Sequence, residues 1–294
     1  MRSQFVETVT RLIEDDPDTV LMLGDIGVFA FRHLIEKYPL RAHNIGILEQ
    51  STVSAAAGLS IAGHYPIVHT IAPFLVERAY EQIKIDLCYQ ELGANLVSVG
   101  ASYDYAGLGC THHCPGDVSI LNKIPGIEIV VPGHREEFDS LLSDNYNNGN
   151  TTYYRLSEQS NKSSYEVVLG KSNLIQEGNQ LTIIAVGPML ERVVEASKDL
   201  DVTIIYCTTV KPFDTSLLKD FSSDILIVEP YYSGPLLENI ERSLKGLSGS
   251  INCLGVKDQF IKNYGTTEEV DSLLGLDTLK IRELILQRIA FLGK

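Results

Sequence analysis

The sequence predicts an α/β protein made of two successive three-layer α/β/α domains. Short β-branched runs alternate with stretches of helical periodicity, and this alternation occurs twice, on either side of a polar, aperiodic segment. Strands separated by helices of such length imply parallel βαβ units with right-handed crossovers. The boundary is placed near residue 165, giving domains over 1–165 and 166–294.

The chain opens on MRSQFVETVTRLIEDD, which has no apolar signal region and carries acids. It reads as an amphipathic helix with Phe5, Val9, Leu12 and Ile13 on one stripe, not as a signal or transit peptide. TVLMLGD, PIVHTI, NLVSVGA and IEIVVPG are the first buried strands. Between them, EQSTVSAAAGLSIAG is rich in small residues, as suits a helix packed closely on a sheet, and APFLVERAYEQIKIDLCYQ repeats Leu75, Ala79, Ile83 and Leu87 at helical spacing. SDNYNNGNTT breaks the pattern, TTYYRL gives a last strand, and SEQSNKSSYEVVLGKS reads as a linker. From Gln180 onward LTIIAVG, VTIIYC, DILIVEP and INCLGV are strands; PMLERVVEASKDL, SGPLLENIERSLKG and LDTLKIRELILQRIAFL are helices.

Apolar residues make up 44% of the 294 and charged residues 21%, the balance of a globular protein. No apolar run approaches the roughly 20 residues that cross a bilayer. A net charge of −14 argues against nucleic acid and anionic membrane as partners. Cys88, Cys110, Cys114, Cys207 and Cys253 are odd in number and scattered, with no second close pair at metal-ligand spacing. Free thiols in a reducing cytoplasm are the expectation.

The first motif of chemical interest is HNIGILEQ, residues 43–50. Gly46 permits a tight backbone before a helix, and Glu49 opens that helix, where the dipole favours a carboxylate. Alone, the motif also fits a helix-start Glu with no chemical role. It is followed in order by AAGLSIAG, an APF…RAYEQI helix, a GCTHH loop, a D-x-S helix start and IPGIEIVVPG, then by VGPMLERVVEAS, TTVKPFD and IVEPYYSGPL. In this order the segments resemble transketolase, from its pyrimidine-binding domain through its C-terminal domain, and in particular the split form whose C-terminal section is a separate chain. The resemblance spans about residue 5 to about residue 290.

The resemblance implies thiamin diphosphate as cofactor and a two-carbon ketol transfer as reaction. Glu49 matches the glutamate that hydrogen-bonds N1′ of the aminopyrimidine, tuning the basicity that the cofactor's chemistry needs. Phe74 matches the aromatic on the pyrimidine face, although a slip of one residue would put Leu75 there. Asp25, closing the first strand in LGDIG, matches an aspartate lining the cofactor site; a helix cap is the competing reading. His112 matches the histidine facing substrate oxygens, where an imidazole donates to a developing alkoxide. Arg78 and Arg155 are expected to contact an anionic substrate, Arg155 having a strand-end salt bridge as its alternative. His113 is expected to serve loop structure only, and His33, His43, His64, His69 and His134 to be structural or surface residues.

The Gly-Asp-Gly motif and later Asn that hold a diphosphate-bridging metal in this family are missing. Gly24-Asp25-Ile26 has no Asn-Asn at a useful distance, and Gly116-Asp117-Val118, though followed by Asn147-Asn148, lacks the third Gly. Mg²⁺ requires fixed oxygen geometry, so no metal ligand is expected on this chain. The diphosphate and Mg²⁺ are expected on a separate subunit carrying Gly-Asp-Gly and Asn-Asn, in an α2β2 heterotetramer. Leu108, Glu158, Phe29 and Gly100 fall where the resemblance leads one to expect, in turn, a hydroxyl-reading aspartate and a phosphate-contacting arginine, serine and histidine. A ketose or related donor with an acceptor other than an ordinary aldose phosphate is therefore expected. Two rival readings remain at this point: the β subunit of a 2-oxoacid dehydrogenase E1 component, and a non-catalytic regulatory subunit.

Overall fold

In the computed structural model the β-branched runs of the first half assemble into one sheet and those of the second half into another; all residues are described except 222–223, 244–248, 263 and 293–294. β1 (Thr19–Leu23), β2 (Ala42–Asn44), β3 (Tyr65–Ile71), β4 (Ala94–Val99), β5 (Glu128–Val130) and β6 (Thr151–Arg155) pair in parallel in the spatial order β5-β6-β4-β3-β1-β2. Their helices are α1 (Arg2–Asp15), α2 (Val28–Lys37), α3 (Glu49–Ile61), the one-turn α4 (Tyr80–Gln82), α5 (Asp117–Leu121) and α6 (Arg135–Ser143). In the second sheet β7 (Ser172–Gln176) runs antiparallel to β9 (Thr203–Cys207), and β8 (Thr182–Val186), β11 (Ile225–Tyr232) and β12 (Ile251–Val256) complete the order β12-β11-β8-β9-β7. α7 (Leu190–Ala196), α8 (Pro235–Ser243), α9 (Thr267–Leu274) and α10 (Thr278–Leu292) accompany it. The last residues of the helix expected over SGPLLENIERSLKG lie outside the described residues. No described helix is long and apolar enough to cross a membrane.

Helices cover both faces, so the strands bury both sets of alternating side chains. Leu21 and Leu23 enter one apolar cluster and Val20 and Met22 the other. Each cluster runs through both halves: the first joins Ile67 and Val97 to Ile183 and Ile204, the second Val68 and Leu96 to Ile184 and Ile205. The halves are thus welded by shared cores as well as by a strand. β10 (Thr209–Lys211), which falls in sequence within the second domain, leaves that sheet and pairs antiparallel with β5 at the edge of the first.

Two local features depart from expectation. The helix expected over APFLVERAYEQIKIDLCYQ is not uniform: wide, π-type turns over Pro73–Glu77 and Ile83–Cys88 flank α4, closed by Arg78 N–H to Pro73 O (3.3 Å) and Tyr89 N–H to Lys84 O (2.9 Å). Such turns insert one residue per turn and re-aim the side chains beyond them. β2 is the second departure; three residues, only one of them buried, carry no alternation that would announce a strand.

Glu229, in β11, is buried, and among the described residues no cation compensates it. The Gly234 N–H donates to its Oε1 at 2.5 Å, and the Tyr231 hydroxyl lies beside the carboxyl. Burial pushes its carboxyl up from an ordinary 4.5 to about 8. The native state therefore holds a proton that the unfolded chain releases, and the associated stability, complete below pH 4.5, is lost as pH rises through about 8. Glu229→Gln should raise stability over wild type on the order of a few kcal/mol near pH 8.5 and hardly at all near pH 5. Urea unfolding at the two pH values checks this; an equal difference at both would refute it.

Candidate functional site

Ligands of open α/β sheets gather where the carboxyl ends of parallel strands meet the following loops, and the sequence-predicted residues converge on that edge of the first sheet. Asp25 follows β1 with a left-handed backbone (φ 64°). Its N–H donates to Asn44 Oδ1 at 3.0 Å, and its Oδ1 accepts from Asn44 Nδ2 at 3.2 Å. The same Asn44 Oδ1 accepts from Gly46 N–H at 3.1 Å. Asn44, which sequence reasoning missed, thus staples the ends of β1 and β2 and sets the turn. Gly46 takes φ 85°, open only to a residue without Cβ strain, and the chain swings into α3 with Glu49 as its first residue. Asp25 does not cap α2; the position before that helix is Gly27, with no side-chain bond.

Glu49 is 4% exposed, and Arg78 Nη1 donates to its Oε1 at 3.0 Å. The Arg78 guanidinium in turn lies 3.9 Å over the Phe74 ring centroid, a cation–π contact that holds it in place. Phe74 meets His112 edge-on, centroids 5.4 Å apart, and His112 Nδ1 lies 3.0 Å from Thr111 Oγ1. The wide turn at Pro73–Glu77 therefore presents Phe74 and Arg78 to one side, and four of the expected residues, Glu49, Arg78, Phe74 and His112, form one unbroken chain of contacts. Leu75, the alternative to Phe74, is buried in the core. The other side of this turn carries Glu77, whose carboxyl accepts from Cys114 Sγ (3.5 Å); burial, ahead of the Asp117 charge, pushes its pKa up.

Arg155 requires a correction. It is 1% exposed and pairs at 2.8 Å with Asp117, itself 0% exposed. Its Nη2 donates to Ser102 Oγ at 2.6 Å, Ser102 Oγ donates to the Pro230 carbonyl, and Tyr153 OH donates to Asp117 Oδ2 at 2.8 Å. A guanidinium so enclosed has no surface for a substrate; it ties β6, α5 and the second half together. The same pair occupies the carboxylate of the Gly116-Asp117-Val118 segment. Among the described residues no group of three His, Cys, Asp or Glu side chains could hold a metal ion.

Of the remaining histidines, His69 is fully buried, its Nδ1 2.9 Å from Val97 O, and burial lowers its pKa to about 4. His113 is buried against the Tyr105–Ala106 loop, and burial lowers its pKa too. His134 caps α6 with Glu137.

Residues 1–163 match the sequence family "Transketolase, pyrimidine binding domain" and residues 170–281 match "Transketolase, C-terminal domain". The chain belongs to the transketolase family. It is 36% identical over 291 residues to an uncharacterized 33.6 kDa protein in the fasciation locus of Rhodococcoides fascians, covering 97% of this chain and 93% of that one. A subunit of the apulose-4-phosphate transketolase of Phocaeicola vulgatus is 27% identical, with 94% and 93% covered. The 1-deoxy-D-xylulose-5-phosphate synthase of Thermotoga maritima is 30% identical over 96% of this chain and 48% of its own length. Among solved structures, a split gene transketolase described as an inactive beta4 tetramer superposes with a TM-score of 0.85 at 21% identity, covering 98% and 97%, which establishes the fold.

In this transketolase-family chain the buried pair makes a sharp test. Arg155→Ala strands the Asp117 carboxylate and should cost about 3–5 kcal/mol. Replacing both partners, Arg155→Met with Asp117→Leu, should cost much less. Denaturant midpoints decide it; a single variant as stable as the double would contradict the placement.

Proposed function

We propose that the chain is one subunit of a two-chain, thiamin diphosphate-dependent transferase that moves a two-carbon ketol unit. The observation that carries the reading is the contact chain Glu49–Arg78–Phe74–His112 at the carboxyl edge of the parallel sheet. A nearly buried carboxylate beside an aromatic ring fits a flat, basic heteroaromatic such as an aminopyrimidine, and the pyrimidine-domain match supports the same cofactor.

Bound there, the cofactor would supply the electron sink for carbon–carbon bond cleavage. Glu49 would hold a proton at the ring nitrogen N1′, Phe74 would face the ring, and Asp25 would line the site. Arg78 fixes the Glu49 carboxylate in one orientation, and its 43% exposure leaves the rest of the fork free for a substrate oxygen. His112 would donate to the oxygen on the reacting carbon. The diphosphate and its Mg²⁺ would be held by a separate chain bearing Gly-Asp-Gly and Asn-Asn, in an α2β2 assembly in the cytoplasm; the relatives named as single subunits of a transketolase support a separate partner.

Glu158 and the bare Gly100 argue against an ordinary aldose phosphate acceptor, since a carboxylate opposes a phosphate dianion by about 1 kcal/mol or more near a surface. A deoxy, nucleotide-linked or carrier-bound sugar is the acceptor class proposed. Relatives named for transketolase favour ketol transfer over a dehydrogenase β subunit, and the intact contact chain favours catalysis over a purely regulatory role.

Co-expression with the Gly-Asp-Gly chain should yield an active complex that turns over xylulose 5-phosphate with ribose 5-phosphate poorly. Glu49→Gln in that complex should lose about 10²–10⁴-fold in rate with the fold intact. Near-normal turnover of that variant, or tight Mg²⁺-dependent cofactor binding by this chain alone, would sink the proposal.

A further inference from the structure

Tyr105 belongs to none of the motifs above, yet it touches the site. Its ring stands edge-on to His112, centroids 6.3 Å apart at 81°, in addition to the Phe74 contact. It also covers Gly100, at the end of β4: a Cβ built there would lie 2.5 Å from Tyr105 Cε2 and 3.1 Å from Ile71 Cγ2, and the backbone is left-handed (φ 75°). Tyr105 therefore occupies the space that any side chain at position 100 would need.

The loop carrying Tyr105 is pinned by one buried carboxylate. Asp104 accepts from Ala101 N–H (2.9 Å), Ser157 Oγ (2.8 Å) and Glu158 N–H (2.9 Å), joining the loop after β4 to the chain after β6. Between these segments lies a cavity of about 300 Å³ walled by Arg2, Ser3, Gly100, Tyr105, Ser157 and Glu158. Its lining carries two cations, the Met1 amine and the Arg2 guanidinium, together with the Glu158 carboxylate, and both Asp104 and Glu158 attract the Met1 amine. Set against the Glu158 and Asp104 carboxylates, these two cations leave no net positive charge for a dianion, while phenol, serine and carboxylate suit hydroxyls.

We propose that Tyr105 sets the acceptor specificity of this site: it holds the His112 imidazole edge-on and closes the adjoining cavity with a phenol, selecting an acceptor whose distal end bears hydroxyls and no phosphate. The proposal rests on the ketol-transfer reading above and narrows its substrate class.

The test uses the two-chain complex with a matched pair of acceptors, D-erythrose and D-erythrose 4-phosphate, and one ketose donor. Wild type should favour erythrose in kcat/KM. Tyr105→Phe, which keeps the ring, should raise KM for erythrose about tenfold with kcat nearly unchanged, as loss of one hydroxyl partner predicts. Tyr105→Arg should shift the preference toward the phosphate by about tenfold or more. A wild-type preference for the phosphate, or variants whose KM and preference stay within about twofold of wild type, overturns the proposal. If neither acceptor receives a two-carbon unit, the ketol-transfer reading fails, and the NMR chemical shifts of the His112 ring protons in the full chain still decide the positioning. Tyr105→Ala should move the ring-proton signals of His112, which lie beside the Tyr105 ring, while Tyr105→Phe does not; identical behaviour in both variants overturns it.

Discussion

The buried Arg155–Asp117 pair is the interaction on which the candidate site depends. Arg155 ends β6, Asp117 starts α5, and Ser102, which accepts from Arg155 and donates to the Pro230 carbonyl, lies just past β4. The segment from Gly100 to Gly116 is thus clamped near both ends, and the second half of the chain is drawn onto it. Tyr232 N–H to Pro115 O (2.8 Å) adds a further tie. Two charges taken out of water are stabilising only when their remaining hydrogen-bonding capacity is met. Here Tyr153, Ser102 and the pair itself meet it, so the loop bearing Tyr105 and His112 rests on a foundation that is costly to disturb.

That clamp explains why sequence alone points Arg155 toward a substrate. An arginine at a strand end resembles a surface cation, and its partner lies 38 residues away with no local signature. The buried strands were legible because both faces of each parallel strand are covered, which writes a continuous apolar run into the sequence. β10 was not: its pairing with β5 depends on a partner some eighty residues earlier, and three residues carry no register of their own. The wide turns around α4 were hidden for a similar reason, since the Leu75–Ala79–Ile83–Leu87 spacing fits a regular helix while the hydrogen bonds reach one residue further.

The site was more legible than its supports. Glu49, Phe74, Arg78 and His112 stand in motifs, and the structure joins them by direct contact. Asn44 and Tyr105 stand in none. The signal that could have found Tyr105 was the glycine at 100: a residue without a side chain at a strand end invites something else to fill the space, and only the folded loop says what.

Phe29, Ile47 and Leu48 are exposed apolar residues on the loops and helix start that surround Asp25 and Glu49. Exposed apolar groups beside a nearly buried carboxylate are poorly suited to water on every side, and such patches mark surfaces that another molecule covers. A carboxylate that must act on a ring needs low local water content to be effective, and this chain already provides it at Glu49, which is 4% exposed. Under the proposed function the same patch would be where a second chain docks, beside a carboxylate that this chain already holds nearly out of water. What docking would add is the cover over the apolar rim, since Arg78 already keeps the Glu49 carboxylate aimed.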